Sequence, residues 1–488
     1  MPIEQAQVDW AVAAFKDASV DYSRFRRYYQ GKHDLGFATP KFNQTFGSLF
    51  SSFAYNRCRP VVDALANKLK VTGFQVSMLD AGNLAIVAPA DGEALTEKAM
   101  TLWRLSGMAQ REGEVYVESA LTGDAYGVVW YDADPPLGTG LPRIWPNKAE
   151  MMRVKYDDDG RIILAAKSWM IPEGSGPDSK KRRLTFYTPT EIVRLITVGT
   201  SEAELAKQLG EYTLVQEVNF LGQTVLNPVT HDLGRVPVLH FANNAPMLGE
   251  NGISELQDVI PLQDALNKAI ADMLVAMEYN AFPQRWVTGV EQPDLDDEGN
   301  PVIPWKQGPG HIWFSTEKDA SFGDFAVADP GKFLAVQNQF DGNIARVSQT
   351  PLHHLLLDGD FPSGEALKTA EAPFTSKTGD RQRSHGATWA EGMAMVFWLA
   401  GIKEPLLIDV DWQSAEPRSQ REQAEIGKIM ADAGVPIEIA AKVMGLDEQD
   451  LAAMSVATEE KNASRATALE ELEGERMATQ IGMELEAE

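Results

Sequence analysis

A single cysteine, Cys58, stands in a chain of 488 residues, so neither an internal disulfide nor a multi-thiolate metal site can form, and 17 methionines suit a reducing cytoplasm. Cations are also scarce. The 44 Lys and Arg against 70 Asp and Glu leave a formal charge of −26, the reverse of what neutralising phosphates over a wide surface requires, which excludes histone-like and repressor-like DNA binding. The longest apolar stretch, Met393 to Ile402, contains Gly401 and falls far short of the roughly 20 residues that span a bilayer. The opening MPIEQAQVDW has no basic or apolar signal-peptide region, which predicts a chain made in the cytosol.

Most chemical signatures are missing as well. There is no G-x-x-x-x-G-K-[ST] and no strand-linked G-x-G-x-x-G, so neither phosphate-cradling loop is available. Asp157, Asp158, Asp159 and Gly160 read as a hairpin turn, because the twelfth position of an ion loop in that register is Ala166; the Asp294, Asp296, Glu298, Gly299 cluster fails the same test at Trp305. No H-E-x-x-H occurs, and the adjacent His353 and His354 are expected to point in different directions. Ser384 beside His385 has neither a nucleophile elbow nor a third group. Met273, Met277, Met393 and Met395 read as core packing. No cofactor, metal or catalytic residue is expected.

What is present is a globular balance, 44% apolar and 23% charged with 11 Trp, 11 Tyr and 20 Phe, enough for about three structural units. The first 72 residues read as helical around Trp10 to Tyr29 and Asn56 to Leu69, with another helix from Leu95 to Gly107. The string VYVESALTGDAYGVVWYD passes from helix to strand at Gly123, and strands continue to about residue 241, completing an α+β unit. From Gly249 the pattern changes. Leu256, Ile260, Leu266, Ile270, Met273, Leu274 and Met277 recur at three- and four-residue spacing, predicting one long helix in which Pro261 marks a kink or the true first turn. A Pro-, Gly- and aromatic-rich insert follows, then a helix able to run back along the first. A second long helix begins after Ser363, its expected N-cap, softened at Pro373, Gly379 and Gly386. Residues 331–390 hold 6 basic and 6 acidic residues, whereas 401–488 hold 8 and 20.

The order of these pieces, with several local strings, resembles the portal proteins of long-tailed, siphovirus-like double-stranded DNA bacteriophages. The strings are Tyr28-Tyr29-Gln30-Gly31-Lys32-His33, Asn56 to Asp63 (NRCRPVVD), Val71-Thr72-Gly73-Phe74, Gly252-Ile253-Ser254 and Pro362 to Leu367 (PSGEAL). The resemblance covers nearly the whole chain. It implies an α+β portal fold assembled as a ring, usually of twelve subunits: a wing (1–248), stem helices (249–282 and 329–349), a β-rich clip (283–328), a tunnel loop (350–363), a channel-lining helix (364–400) and a helical crown (401–488). It further implies a non-enzymatic DNA channel at one capsid vertex, assembled in the host cytoplasm and carried in the virion. Its partners would be duplex DNA, the terminase large subunit, major capsid and scaffolding proteins and a head–tail adaptor, with no membrane.

On this reading His353, His354, Leu355, Leu356 and Leu357 of the tunnel loop and Lys368, Lys377, Arg381 and Arg383 of the channel helix are expected at the DNA path. Trp286, Trp305, Trp313 and Phe314 are expected at the terminase and connector interface of the clip. A channel lined by repelling or neutral surface would let DNA slide where dense Lys and Arg would grip it by counterion release. The alternatives are another phage capsid or connector protein, or a soluble cytoplasmic enzyme with an acidic α+β body.

Overall fold

The computed structural model describes residues 3–17, 21–34, 36–37, 39–40, 44, 54–80, 85–87, 92–132, 138–172, 178, 180–199, 209–218, 224–245, 247, 251–281, 285–290, 298, 312–325, 329–355, 364–416 and 420–435. In chain order the elements are α1 (Gln5–Lys16), α2 (Tyr22–Tyr29), α3 (Cys58–Ala66), β1 (Val71–Asp80), β2 (Ala85–Val87), α4 (Gly92–Leu105), α5 (Met108–Thr122), β3 (Asp124–Tyr131) and β4 (Pro142–Lys148). They continue with β5 (Met152–Tyr156), β6 (Ile162–Met170), β7 (Arg182–Tyr187), β8 (Glu191–Thr197), β9 (Tyr212–Leu214), β10 (Glu217–Val218), β11 (Thr224–Val225), β12 (Val229–Thr230) and β13 (Val238–Ala242). Then come α6 (Val259–Ala281), β14 (Arg285–Thr288), β15 (Ser321–Asp324), α7 (Pro330–Ser348), α8 (Leu352–Leu355), α9 (Gly364–Leu399), β16 (Leu406–Trp412) and α10 (Gln420–Asp432). The chain divides into two units. The first comprises Met1–Asn67, Arg111–Trp130 and Ile144–Lys377; the second comprises Lys68–Gln110, Tyr131–Arg143 and Thr378–Glu488.

In the first unit an antiparallel sheet of order β12-β8-β7-β6-β5, with β9 also on β8, has both faces covered. Alternation along its strands sends Leu164, Ala166, Leu184 and Phe186 to one face against Val8 and Ala11 of α1. On the other face Ala165, Tyr187 and Ile192 meet Tyr126, Val128 and Val238 of the sheet β13-β3-β4. The β5–β6 hairpin closes as expected at Asp157 to Gly160, where Asp157 Oδ1 accepts from the Asp159 and Arg161 amides and Gly160 takes a left-handed φ of 77°.

The corner between α5 and β3 requires glycine. Gly123 has φ 94°, and a Cβ there would lie 2.5 Å from the Gly252 carbonyl oxygen; a Cβ on Gly252 would lie 2.0 Å from that of Gly123. The two backbones cross in contact, pinned by the Asn243 amide on Gly123 O (2.7 Å), the Ile253 amide on Asn243 O (2.6 Å) and Ser254 Oγ on Leu121 O (2.6 Å). Buried Asp124 accepts from the Gly252 amide, from His240 Nε2 and from the Tyr22 hydroxyl at 2.7, 2.8 and 2.7 Å. The string Gly252-Ile253-Ser254 is thus the point from which the long helix is launched.

That helix, α6, begins at Val259, so Pro261 sits in its first turn, where a missing amide costs nothing, and no kink is needed. β14 follows α6 and pairs antiparallel with β15, Arg285 opposite Asp324 and Thr288 opposite Ser321, and β15 leads into α7. The end of α6 and the start of α7 therefore lie together, and the two form an antiparallel hairpin with a β-ribbon at its tip. Its base is buried: Leu256, Val259, Ile260, Leu266 and Ile270 share a core with Ile344, Leu355, Phe374 and Val61, Val62 and Leu65 of α3.

In the second unit β1 lies between β16 and β2, Val76 opposite Ile408. The sequence-based boundary at 401 puts β16 in the crown, yet it forms a sheet with β1, a strand assigned to the wing. Phe74 of β1, Trp103 of α4 and Trp389 of α9 stack edge to face at 5.3 and 4.9 Å and are almost wholly buried. α9 is one continuous helix of 36 residues that absorbs Pro373 without a break, and residues through Lys377 belong to the first unit. Residues 436–488 of the expected crown and the expected cap Ser363 lie outside the described residues.

Candidate functional site

The conspicuous strings near the start of the chain converge on the base of the hairpin. Gly31, with φ 77°, turns the chain out of α2 so that His33 folds back and stacks on Tyr28, ring centroids 4.8 Å apart. His33 Nε2–H donates to the Tyr28 carbonyl (2.8 Å), which leaves Nδ1 to accept from Asn267 Nδ2 (2.9 Å); burial holds this imidazole below its ordinary pKa and neutral. Tyr28 Oη donates to Asp264 Oδ1 and Tyr29 Oη to Asp63 Oδ1, each at 2.7 Å. Burial pushes the Asp264 carboxyl up from its usual value and the Tyr28 phenol up likewise.

The Asn56 string completes the clasp. Asn56 Oδ1 accepts from the Cys58 and Arg59 amides to start α3, while its Nδ2 donates to Tyr29 O. Gln263 Oε1 accepts from the Arg57 amide at 2.7 Å, and its Nε2 donates to Tyr55 O and Asn267 Oδ1. The Arg57 guanidinium pairs in a fork with Asp341, whose carboxylate is fully buried, and lies 4.2 Å above the Tyr55 ring. Cys58 is buried in the same core, its thiol pushed up by desolvation, so the lone cysteine packs there as a small apolar residue.

Away from its base the hairpin is bare. Leu274 and Met277 of α6 and Leu334 and Val336 of α7 are exposed. At the tip Trp286 is 36% exposed and lies over Gly323, where a Cβ would meet the indole at 2.3 Å, and the Arg285 guanidinium stands 5.9 Å from the half-buried Trp313. Ile312, Phe314 and Phe325 are 86, 77 and 58% exposed. Trp305 lies outside the described residues.

Beyond α7 the single turn α8 packs Leu355 into the core beside Phe374. Here an expectation fails: the imidazoles of His353 and His354 do not diverge. Their Nε2 atoms both stand 2.9 Å from Glu371 Oε1, their centroids 4.6 Å apart, because rotation about the side-chain bonds outweighs the angular offset of neighbouring residues. Lys377 is buried in an ion pair with Glu255 and also donates to Ser348 O (2.8 Å). Arg381 is 9% exposed, Lys368 is exposed, and Arg383 is exposed and paired with Asp380. Leu356 and Leu357 lie outside the described residues. Ser384 is exposed and the His385 beside it buried, so that pair does not share one environment.

Compared with known families, residues 15–466 match the sequence model described as phage portal protein, SPP1 Gp6-like. The chain belongs to this portal family. It therefore stands among structural proteins of the bacteriophage virion, in a portal or connector role. A search of curated proteins gave no match. Among solved structures, a chain from the neck of an empty GTA particle is 13% identical, with 90% of this chain and 99% of that one covered and a TM-score of 0.45. A chain from the virion of a native gene transfer agent (GTA) particle is also 13% identical, covering 90% and 98%, with a TM-score of 0.43.

In this portal chain the clasp partners Gln263, Asp264, Asn267 and Asp341 escaped the sequence reading, as did Glu371. A signal was present: Gln263 and Asn267 are polar residues four apart inside an apolar-periodic helix, the spacing at which side chains share a face.

Proposed function

We propose that the chain assembles as a closed ring of twelve subunits around a channel through which duplex DNA enters and leaves a capsid at one vertex. Family membership over residues 15–466 carries this reading. The bare hairpin supports it physically, since Leu274, Met277, Leu334 and Val336 on α6 and α7 are apolar, exposed and without cover inside one protomer. In this assignment residues 1–248 form the wing, α6 and α7 the stem, β14 and β15 the clip, 350–363 the tunnel loop, α9 the channel helix and the C-terminal part the crown. The exposed tip, with Trp286, Trp313 and Phe314, meets neighbouring clips and then the terminase or head–tail adaptor. Terminase supplies the energy; the portal supplies the passage.

Of the channel residues, Lys368 and Arg383 are the exposed cations and take the DNA-facing role. Lys377 is engaged inside the protomer by Glu255, and His353 and His354 hold the first turn of the loop against Glu371. Negative-stain microscopy and native mass spectrometry of the purified chain test the reading. Discs with a central hole and a mass of twelve protomers are expected; a stable monomer at micromolar concentration, persisting on co-expression with its capsid protein, would remove it.

A further inference from the structure

We infer that His353, His354 and Glu371 form a divalent transition-metal site, with zinc the fitting ion. Two imidazole nitrogens and one carboxylate oxygen are the donor set of three-ligand zinc centres that keep a fourth position open. The three ligand atoms lie within 4.8 Å of one another, with each Nε2 2.9 Å from Oε1. Tetrahedral zinc with bonds of about 2.0–2.1 Å sets neighbouring donors about 3.3 Å apart, so each imidazole–carboxylate separation need open by only about 0.4 Å, while the two ring donors, within 4.8 Å of each other, draw together by up to about 1.5 Å.

The support is built into the core. Leu355, next to His354, and Phe374, three residues after Glu371, pack in one buried cluster, and the His354 ring lies 5.6 Å from Phe374. Both donors' backbones are therefore fixed. Glu371 has only 7% of its side chain exposed, which holds its carboxylate in place beside the two rings. The imidazoles, 27 and 26% exposed, leave an approach for the ion. Without metal the Nε2–H groups donate to Oε1. Coordination through Nε2 needs each ring in its Nδ1–H form. A bound ion would tie α8 to α9 inside one protomer, whatever its oligomeric state.

The experiment uses the full-length chain, stripped by chelator and titrated with Co²⁺ as a spectroscopic stand-in, then with Zn²⁺. One Co²⁺ per chain, with the visible absorption of a four-coordinate ion, displaced by Zn²⁺, is expected. Affinity should fall at least tenfold in each of His353→Gln, His354→Gln and Glu371→Gln. Melting guards against misfolding: Zn²⁺ should raise the midpoint of the wild type and leave that of a natively folded His353→Gln/His354→Gln variant unmoved. No uptake by the wild type, or the same uptake and midpoint shift in the double variant, would overturn the site and reduce the cluster to a histidine–carboxylate contact.

Discussion

Asp341 is the residue on which the hairpin base depends most heavily, because its carboxylate is fully buried and Arg57 is the cation the fold gives it. Arg57→Ala leaves that charge uncompensated and should destabilise the protein by about 3–5 kcal/mol, read from denaturant unfolding. Arg59, exposed on the next turn and paired with Asp63, should cost under about 1 kcal/mol when replaced by Ala. His33 adds a pH dependence of definite sign. Its folded pKa lies below the ordinary 6.5, so the unfolded chain binds more protons; the stability it contributes is complete above about pH 6.5 and is lost as pH falls through the folded value. The Asp264 carboxyl that faces it is pushed up by burial and acts in the opposite sense. The melting temperature should drop between pH 7 and pH 5, and His33→Gln should flatten that drop.

Single elements fail at close backbone approaches and tolerate loss at the tip. Gly252→Ala forces a Cβ into the Gly123 carbonyl and the Asn243 amide, neither of which can rotate away, so soluble expression and cooperative melting should be lost. Replacing residues 283–328 by a short Gly/Ser link should leave the melting of the remaining chain intact and abolish terminase docking; undiminished docking would count against the clip assignment. What the sequence disclosed follows the range of the forces. The long helix was legible from its apolar spacing, with Pro261 left between a kink and the first turn, and the β5–β6 hairpin from Asp158-Asp159-Gly160, because both are set within a few residues. The β1–β16 pairing joins Val71 to Trp412, and the Arg57–Asp341 pair is equally remote in sequence; no local pattern announces such partners. The His353 and His354 reading failed for a related reason: adjacency fixes where the backbones point, while Glu371 decides where the rings turn.

For the whole molecule, assembly of the proposed ring should depend on the exposed faces of the α6–α7 hairpin. Leu274→Glu with Met277→Glu, both at exposed positions, should leave the protomer folded by circular dichroism and shift native mass spectra from ring to monomer. Rings of the variant at wild-type yield would show that the stem is not the contact. The clasp also has a kinetic side. Arg57 and Asp341 are separated by 284 positions, which at 5–20 residues per second a ribosome needs roughly 15–60 s to traverse. For most of that interval the nascent chain carries the clasp groups of Tyr28, His33 and Arg57 with neither α6 nor a complete α7 to close on. Folding of the hairpin base is thus a late event of high contact order, and a temperature-sensitive lesion there should act on newly made chains while sparing molecules already folded.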